Sequence, residues 1–234
     1  MKNLVVIPTY NELENITKIV PEIFAVVPDI SILVVDDNSP DRTGQAVLEM
    51  ASRYPHLYLL SRPGKQGLGK AYLAGFAWGF ENGFDVIIEM DADFSHRPVD
   101  LVQILSRFPA HDFVVGSRYV AGGATLNWGV LRKIISRGGG FYSRMILGYP
   151  LNDWTGGFNA WKRDVLEKIG LGNVKSEGYS FQIELKYRAM RLGYKGCEVP
   201  IVFEDRRVGQ SKMSLQIVLE AFYRVWLLKF LWFF

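Results

Sequence analysis

The chain has 234 residues, 49% hydrophobic and 22% charged, with a formal net charge of +3. Length and balance predict one globular domain with a substantial core, and so small a charge argues against nucleic-acid binding driven by composition. Cys197 stands alone, which excludes an internal disulfide framework and a cysteine-based zinc site and fits a reducing compartment.

The N-terminal apolar run, Leu4 to Ile7, ends at Pro8 and is too short for a signal peptide, so a cytosolic setting is expected. It reads as a buried strand, followed by a helix over residues 12–27 with Pro21 as a kink. Ile32 to Val35 is a second strand, ending on Asp36-Asp37-Asn38-Ser39. Successive strand residues face opposite sides, so Asp36 is expected to be structural. Asp37 either accepts hydrogen bonds from a nucleobase or ribose, or caps the helix predicted over 43–53.

Leu57 to Leu60 is a third strand. Gly64-Lys65-Gln66-Gly67-Leu68-Gly69-Lys70-Ala71 then nearly spells a P-loop. A P-loop needs Ser or Thr after the Lys to reach Mg²⁺, and Ala71 cannot serve. An NTPase or nucleotide-binding module is thus a competing reading, while Gly67-Leu68-Gly69 reads as the turn into a helix over 69–82. The absence of glycine after the first strand disfavours a dinucleotide fold.

Val86 to Met90 is a fourth apolar strand, and it delivers Asp91-Ala92-Asp93. Side chains two apart in an extended segment share a side, so both carboxylates can face one hard divalent cation and a nucleotide diphosphate. The alternative is a solvated turn or the cap of a helix predicted over 99–108. His96, beside the pair, reads as a structural hydrogen-bonder rather than a base. Phe113 to Val115 is a fifth strand, ending on Gly116-Ser117-Arg118. Strands alternating with helices predict an α/β domain with a mainly parallel sheet and its ligands beyond the strands' C-terminal ends.

Between Arg118 and Asn152 no acid occurs, while Arg118, Arg132, Lys133, Arg137 and Arg144 do. This Gly-rich, aromatic-bearing connection suits a phosphate-rich or membrane-surface partner, or is a solvated face over ordinary core residues. A strand over 156–161, helices over 163–169 and 179–191, and a strand over 198–203 follow. The polar loop over 204–214 is a lid candidate or a linker. Residues 217–234 are rich in Leu, Phe and Trp but interrupted by Glu220, Arg224 and Lys229, which favours an interfacial helix over a membrane span. The expected division is a catalytic domain over 1–214 and this helix over 215–234.

Together these segments resemble the polyprenol-phosphate (dolichol-phosphate) mannose synthases of glycosyltransferase family 2. The resemblance rests on Pro8-Thr9-Tyr10-Asn11-Glu12, Asp36-Asp37-Asn38-Ser39-Pro40-Asp41, Gly67-Leu68-Gly69, Asp91-Ala92-Asp93, Gly116-Ser117-Arg118-Tyr119, Arg132-Lys133-Ile134-Ile135-Ser136-Arg137-Gly138, Asp153-Trp154-Thr155-Gly156-Gly157-Phe158, Gly178-Tyr179-Ser180-Phe181-Gln182-Ile183-Glu184 and the residues from Asp205 to Lys212. It implies a GT-A fold and inverting transfer of mannose from GDP-mannose to a polyprenyl or dolichyl phosphate. UDP-glucose or another sugar nucleotide is the alternative donor within the class.

By the same resemblance Pro8, Tyr10, Glu12, Val35 and Asp37 hold guanine and ribose. Asp91 and Asp93 bind Mg²⁺ or Mn²⁺ with the diphosphate alongside Ala92, and Ser95 stands where some relatives place a further metal ligand. Arg118, Arg132, Ser136, Arg206 and Lys212 grip phosphates of donor and acceptor. The implied setting is the cytoplasmic face of a membrane: endoplasmic reticulum in a eukaryote, plasma membrane in a prokaryote. Two departures stand out. Arg42 replaces a usual Gly, at a cost of roughly 1 kcal/mol if the backbone there is left-handed. Some relatives carry C-terminal transmembrane helices, so attachment here would fall to an anchoring subunit, the terminal helix or further sequence.

Overall fold

The computed structural model describes residues 1–174, 176–205 and 215–231. Runs of Val, Ile and Leu build the strands β1 (Asn3–Thr9), β2 (Ser31–Asp36), β3 (Leu57–Ser61), β4 (Val86–Glu89) and β5 (Phe113–Ser117). Between them lie the helices α1 (Leu13–Val26), α2 (Thr43–Ala51), α3 (Leu68–Glu81) and α4 (Asp100–Leu105). The second half adds β6 (Ala124–Leu126), α5 (Val130–Leu147), β7 (Asn159–Lys162), α6 (Arg163–Lys168), α7 (Gly178–Arg191), β8 (Gly196–Pro200), β9 (Val202–Glu204) and α8 (Leu215–Leu231).

Among the described residues, seven strands form one sheet in the order β3-β2-β1-β4-β7-β5-β8. Every pairing is parallel except the two made by β7, which runs antiparallel between β4 and β5. From β3 at the sheet edge the chain returns to place β4 beside β1, creating the strand-order reversal at which α/β sheets gather ligands.

Alternation along β1 divides the core. Leu4 and Val6 join a cluster with Tyr72, Phe76, Trp161 and Phe181, whereas Val5 and Ile7 face Ile16, Ile19, Leu101 and Ile104. Gly79 lets α3 lie flat on the first face, since a Cβ there would stand 2.7 Å from Ile87.

Several boundaries depart from expectation. α1 continues through Pro21 as one helix. The connection after Arg118 contains an 18-residue helix, α5; its three consecutive glycines, poor helix formers, had masked the apolar period. The strand expected over 198–203 is two strands: β8 pairs with β5, and β9 with β6 in a separate sheet. Pro200 cannot donate a ladder bond, and Ile201 switches sheets, donating to the Ser117 carbonyl while accepting from the Ala124 N–H. Among the described residues, no helix is long and apolar enough to cross a membrane.

Candidate active site

The loops after β1 and β2 are bound together at the sheet's C-terminal edge. Asp36 is structural, as expected: it accepts from the Thr9 hydroxyl at 2.9 Å and from the Ser39 N–H at 3.0 Å. Asp41 accepts from the Leu13 N–H and the Thr43 hydroxyl, and the Glu12 N–H donates to Thr43 Oγ1. Arg42, between these bonds, has φ 69° and ψ 23°, the left-handed conformation in which the usual glycine carries no penalty.

Asp37 points away from that structural network, as strand alternation requires. It is buried and paired with Arg62 Nη1 at 3.2 Å. Burial pushes its carboxyl up, with Arg62 and the Gln66 N–H pulling back. The segment resembling a P-loop thus serves the Asp37 pocket: its Gln66 N–H reaches Asp37, and Lys65 Nζ stands 4.5 Å from the Tyr10 ring centre. Pro8 is in register with Val35. The structure therefore brings Pro8, Tyr10, Val35 and Asp37 to one region, with Glu12 on the following turn bonded to Asn15. Arg62 belongs there too, though no motif signalled it, as do Lys65 and Gln66 of the near-P-loop.

The two acids lie where β4 leaves the sheet. The strand ends at Glu89, so extended alternation does not orient Asp91 and Asp93; local contacts do. The Asp91 N–H donates to His96 Nδ1 at 3.0 Å, and Asp93 accepts from the Ser95 N–H at 3.1 Å. Phe94 takes φ 64° between them. Tyr72 reaches across from α3 and donates to Asp91 Oδ1 at 3.2 Å. Burial and the charges of Asp91, Glu89 and Asp93 hold its phenol well above the usual tyrosine pKa, so it remains a donor. Both acids also act on buried His96, so their charges converge. Burial lowers the imidazole pKa, and His96 stacks on Phe158 with ring centres 4.7 Å apart, which gives it the structural place expected.

Among the described residues, the buried Ser95 Oγ has no hydrogen-bond partner. Two carboxylates beside an orphaned hydroxyl form a hard oxygen set that fits Mg²⁺ or Mn²⁺. Among the described residues no group of three His, Cys, Asp or Glu side chains could hold a metal. Further coordination would fall to Ser95, substrate phosphate and water, as is usual for Mg²⁺.

Beyond the acids the site becomes cationic, then apolar. Arg118 was expected to grip phosphate, but its Nε and Nη2 edge is committed. Both nitrogens donate to Asp153 at 2.7 Å, and Nη2 also meets Thr155 Oγ1 at 2.9 Å. Burial opposes the guanidinium charge and Asp153 more than restores it, so the pKa is raised. Arg118 accordingly builds a wall. Arg132, on α5, donates to Asp205 at 2.7 Å and lies 4.0 Å over Trp128, and its buried Nε has no partner among the described residues. Ser136 Oγ accepts from the Tyr119 hydroxyl at 2.7 Å. Arg206, Lys212 and most of the lid candidate lie outside the described residues.

Arg118, Ser136 and Thr155 line a cavity of about 270 Å³ that continues between α5, α7 and α8 along Ile135, Tyr142, Ile183 and Val225. Lys186, fully buried, fastens the turn behind it by donating to the carbonyls of Asp153, Trp154 and Gly156 at 2.8–3.2 Å. Glu198 accepts from the N–H groups of Asn152 and Asp153. Below the acids, Glu89 accepts from Trp161 and Gln182, and burial raises its pKa to about 7. Tyr72, Asp153, Thr155 and Lys186 were not assigned roles from the sequence; the DWTGG segment was the one available signal.

A family model described as Glycosyl transferase family 2 matches residues 4–170. An undecaprenyl-phosphate mannosyltransferase of Micrococcus luteus is 46% identical over 221 residues, covering 94% of this chain and 91% of the relative. A polyprenol monophosphomannose synthase of Mycolicibacterium smegmatis is 47% identical over 226 residues, covering 96% and 85%. Among solved structures, a glucosyl-3-phosphoglycerate synthase of Mycobacterium tuberculosis with Mn²⁺, UDP and glucosyl-3-phosphoglycerate superposes with TM-score 0.70 at 17% identity, covering 97% of this chain and 80% of that one. A mannosyltransferase of Pyrobaculum calidifontis with GDP-Man and Mn²⁺ gives TM-score 0.60 at 18% identity, covering 90% and 58%. At those identities the two structures show the shared GT-A fold. The family match and the two close relatives agree with the chemistry at the sheet edge, and the chain belongs to glycosyltransferase family 2.

Proposed function

We propose that this enzyme transfers mannose from GDP-mannose to a polyprenyl phosphate at a membrane surface, inverting the anomeric centre. The observation that carries the proposal is the cavity, which joins a polar end at Arg118, Ser136 and Thr155 to an apolar channel. A phosphate with a long hydrocarbon chain has that same polarity. The names of the two close relatives, a mannosyltransferase and a phosphomannose synthase acting on polyprenol lipids, favour the same acceptor class and mannose as the sugar.

In this reading Pro8, Tyr10, Glu12, Val35 and Asp37 receive the nucleoside. Mg²⁺ or Mn²⁺, held by Asp91, Asp93 and Ser95 with Ala92 alongside, would supply charge neutralisation at the diphosphate. Tyr72 fixes Asp91 by donating to it. The attacking phosphate oxygen is anionic at neutral pH, so no general base is required. That agrees with a buried His96 whose Nδ1 is already accepting a hydrogen bond. Arg132 and Ser136, with Arg206 and Lys212 by the family resemblance, would offset the repulsion between donor and acceptor phosphates. The exposed α5 stripe of Leu131, Ile134, Phe141 and Met145, flanked by Lys133, Arg137 and Arg144, supports contact with an anionic bilayer surface.

The test supplies labelled GDP-mannose or UDP-glucose with polyprenyl phosphate and Mn²⁺ in detergent, then extracts the product into organic solvent. Mannose should appear in the lipid phase, and Asp93→Ala should abolish it. Transfer of glucose alone would overturn the donor, and undiminished transfer by Asp93→Ala would overturn the metal site.

A further inference from the structure

Three consecutive glycines, Gly138, Gly139 and Gly140, occupy the middle of α5. Glycine is the least favourable residue in a helix interior after proline, so the run calls for a physical reason. Gly140 has one in packing, because a Cβ there would stand 2.8 Å from the Asn152 carbonyl oxygen. Gly138 and Gly139 have none of that kind: among the described residues a Cβ on either would meet nothing within 4 Å. Neither has the positive φ that would demand glycine.

Both positions border the cavity, Gly138 at its exposed rim and Gly139 half-buried. Ile135, Gly138, Gly139 and Tyr142 have i, i+3, i+4, i+7 spacing, which gathers them on one helical face, and all four line it. Ser136 marks its polar part with Arg118 and Thr155, while Tyr142 stacks on Phe222 of α8 with ring centres 3.8 Å apart. At 1.5 Å per residue, Ser136 and Tyr142 are separated by roughly 9 Å along the helix axis. The glycine pair lies between them.

We infer that Gly138 and Gly139 gauge the acceptor channel: their missing side chains leave the bore through which the apolar chain passes on leaving its phosphate. This deepens, and rests on, the lipid-phosphate reading above. A cavity of about 270 Å³ is smaller than the roughly 300–1,000 Å³ typical of a small-molecule pocket. It therefore admits only the chain segment next to the phosphate, and the pair selects on the girth of that segment rather than on total chain length.

The test uses the full chain with Gly139→Ala, Gly139→Val, Gly139→Leu and Gly138→Val. Binding of a fluorescent polyprenyl phosphate in detergent is measured beside mannose transfer, the KM for GDP-mannose and the melting temperature. The Kd for the lipid should rise stepwise with side-chain volume, about tenfold for Gly139→Val and further for Gly139→Leu. The KM for GDP-mannose should stay within twofold, and Gly139→Ala should melt no lower than the wild type. Leu and Val variants that fold and bind the lipid as the wild type does would overturn the gauge alone. A wild type that binds the lipid but transfers no mannose would overturn the donor reading alone, and one that does not bind the lipid would overturn both.

Discussion

Asp153 holds Arg118 by three bonds at once: Oδ2 accepts from its Nε at 2.7 Å and its backbone N–H at 3.0 Å, while Oδ1 accepts from Nη2 at 2.7 Å. The two side chains are 0% and 4% exposed. Removing one partner of such a pair leaves an uncompensated buried charge, at about 3–5 kcal/mol. Asp153→Ala should therefore lower unfolding stability in urea by that order. Adding Arg118→Met should restore part of the loss, because the stranded guanidinium is gone. A double variant no more stable than Asp153→Ala would show that the cost lies in packing and not in charge.

Arg42 gives a prediction of opposite sign. Its φ of 69° places a Cβ-bearing residue in the left-handed region, immediately before α2. Arg42→Gly removes a steric cost of about 1–2 kcal/mol and gives back part of it as unfolded-chain entropy. The net expectation is a gain of about 0.5–1 kcal/mol, read as a higher urea midpoint with unchanged slope. Arg42→Ala retains the Cβ and should show no such gain.

What was legible in the sequence followed from local chemistry. Val-Ile-Leu runs mark the first five strands, and acids or small polar residues directly after them mark the sheet edge, so Asp37, Asp91 and Asp93 could be found. Strand alternation separated Asp36 from Asp37, but it did not orient Asp91 and Asp93, because β4 stops at Glu89. α5 was hidden by its three consecutive glycines, of which Gly138 and Gly139 line the cavity and Gly140 packs on the Asn152 carbonyl. The β8–β9 break was hidden because Glu198 to Phe203 reads as one strand despite Pro200. The partners Asp153 and Arg118 are 35 residues apart, and Tyr72 meets Asp91 only through the packing of α3. No spacing rule predicts either contact.

Arg132 offers a test of how the site divides its work. Its Nη1 is tied to Asp205, its plane lies over Trp128, and its buried Nε has no partner among the described residues. A group so placed beside the cavity should act on the acceptor phosphate and not on the nucleoside end. Arg132→Ala should raise the KM for polyprenyl phosphate by tenfold or more, about 1.4 kcal/mol or greater, while the affinity for GDP measured by calorimetry stays unchanged. Equal losses on both substrates would contradict the division.

Lys186 makes folding stability depend on pH in a defined direction. Burial lowers its pKa from the ordinary 10.5 to about 8, against the opposing pull of Asp153 and Glu89, with Arg118 and Glu198 contributing further. Below about pH 8 both folded and unfolded chains carry the proton, and the group adds no pH slope. Between about 8 and 10.5 the unfolded chain still binds the proton while the folded chain has released it. Stability attributable to Lys186 therefore rises with pH across that window, by on the order of 1 kcal/mol per pH unit at most. Lys186→Met lacks this titration and also leaves three backbone carbonyls without their donor, so it should be less stable throughout, by about 1–3 kcal/mol or more. Urea denaturation at pH 7.5, 8.5 and 9.5 should show the gap between wild type and variant widening as pH rises. A gap that narrows over the same range would mean that the folded protein holds the ammonium more tightly than water does, the reverse of what its burial dictates.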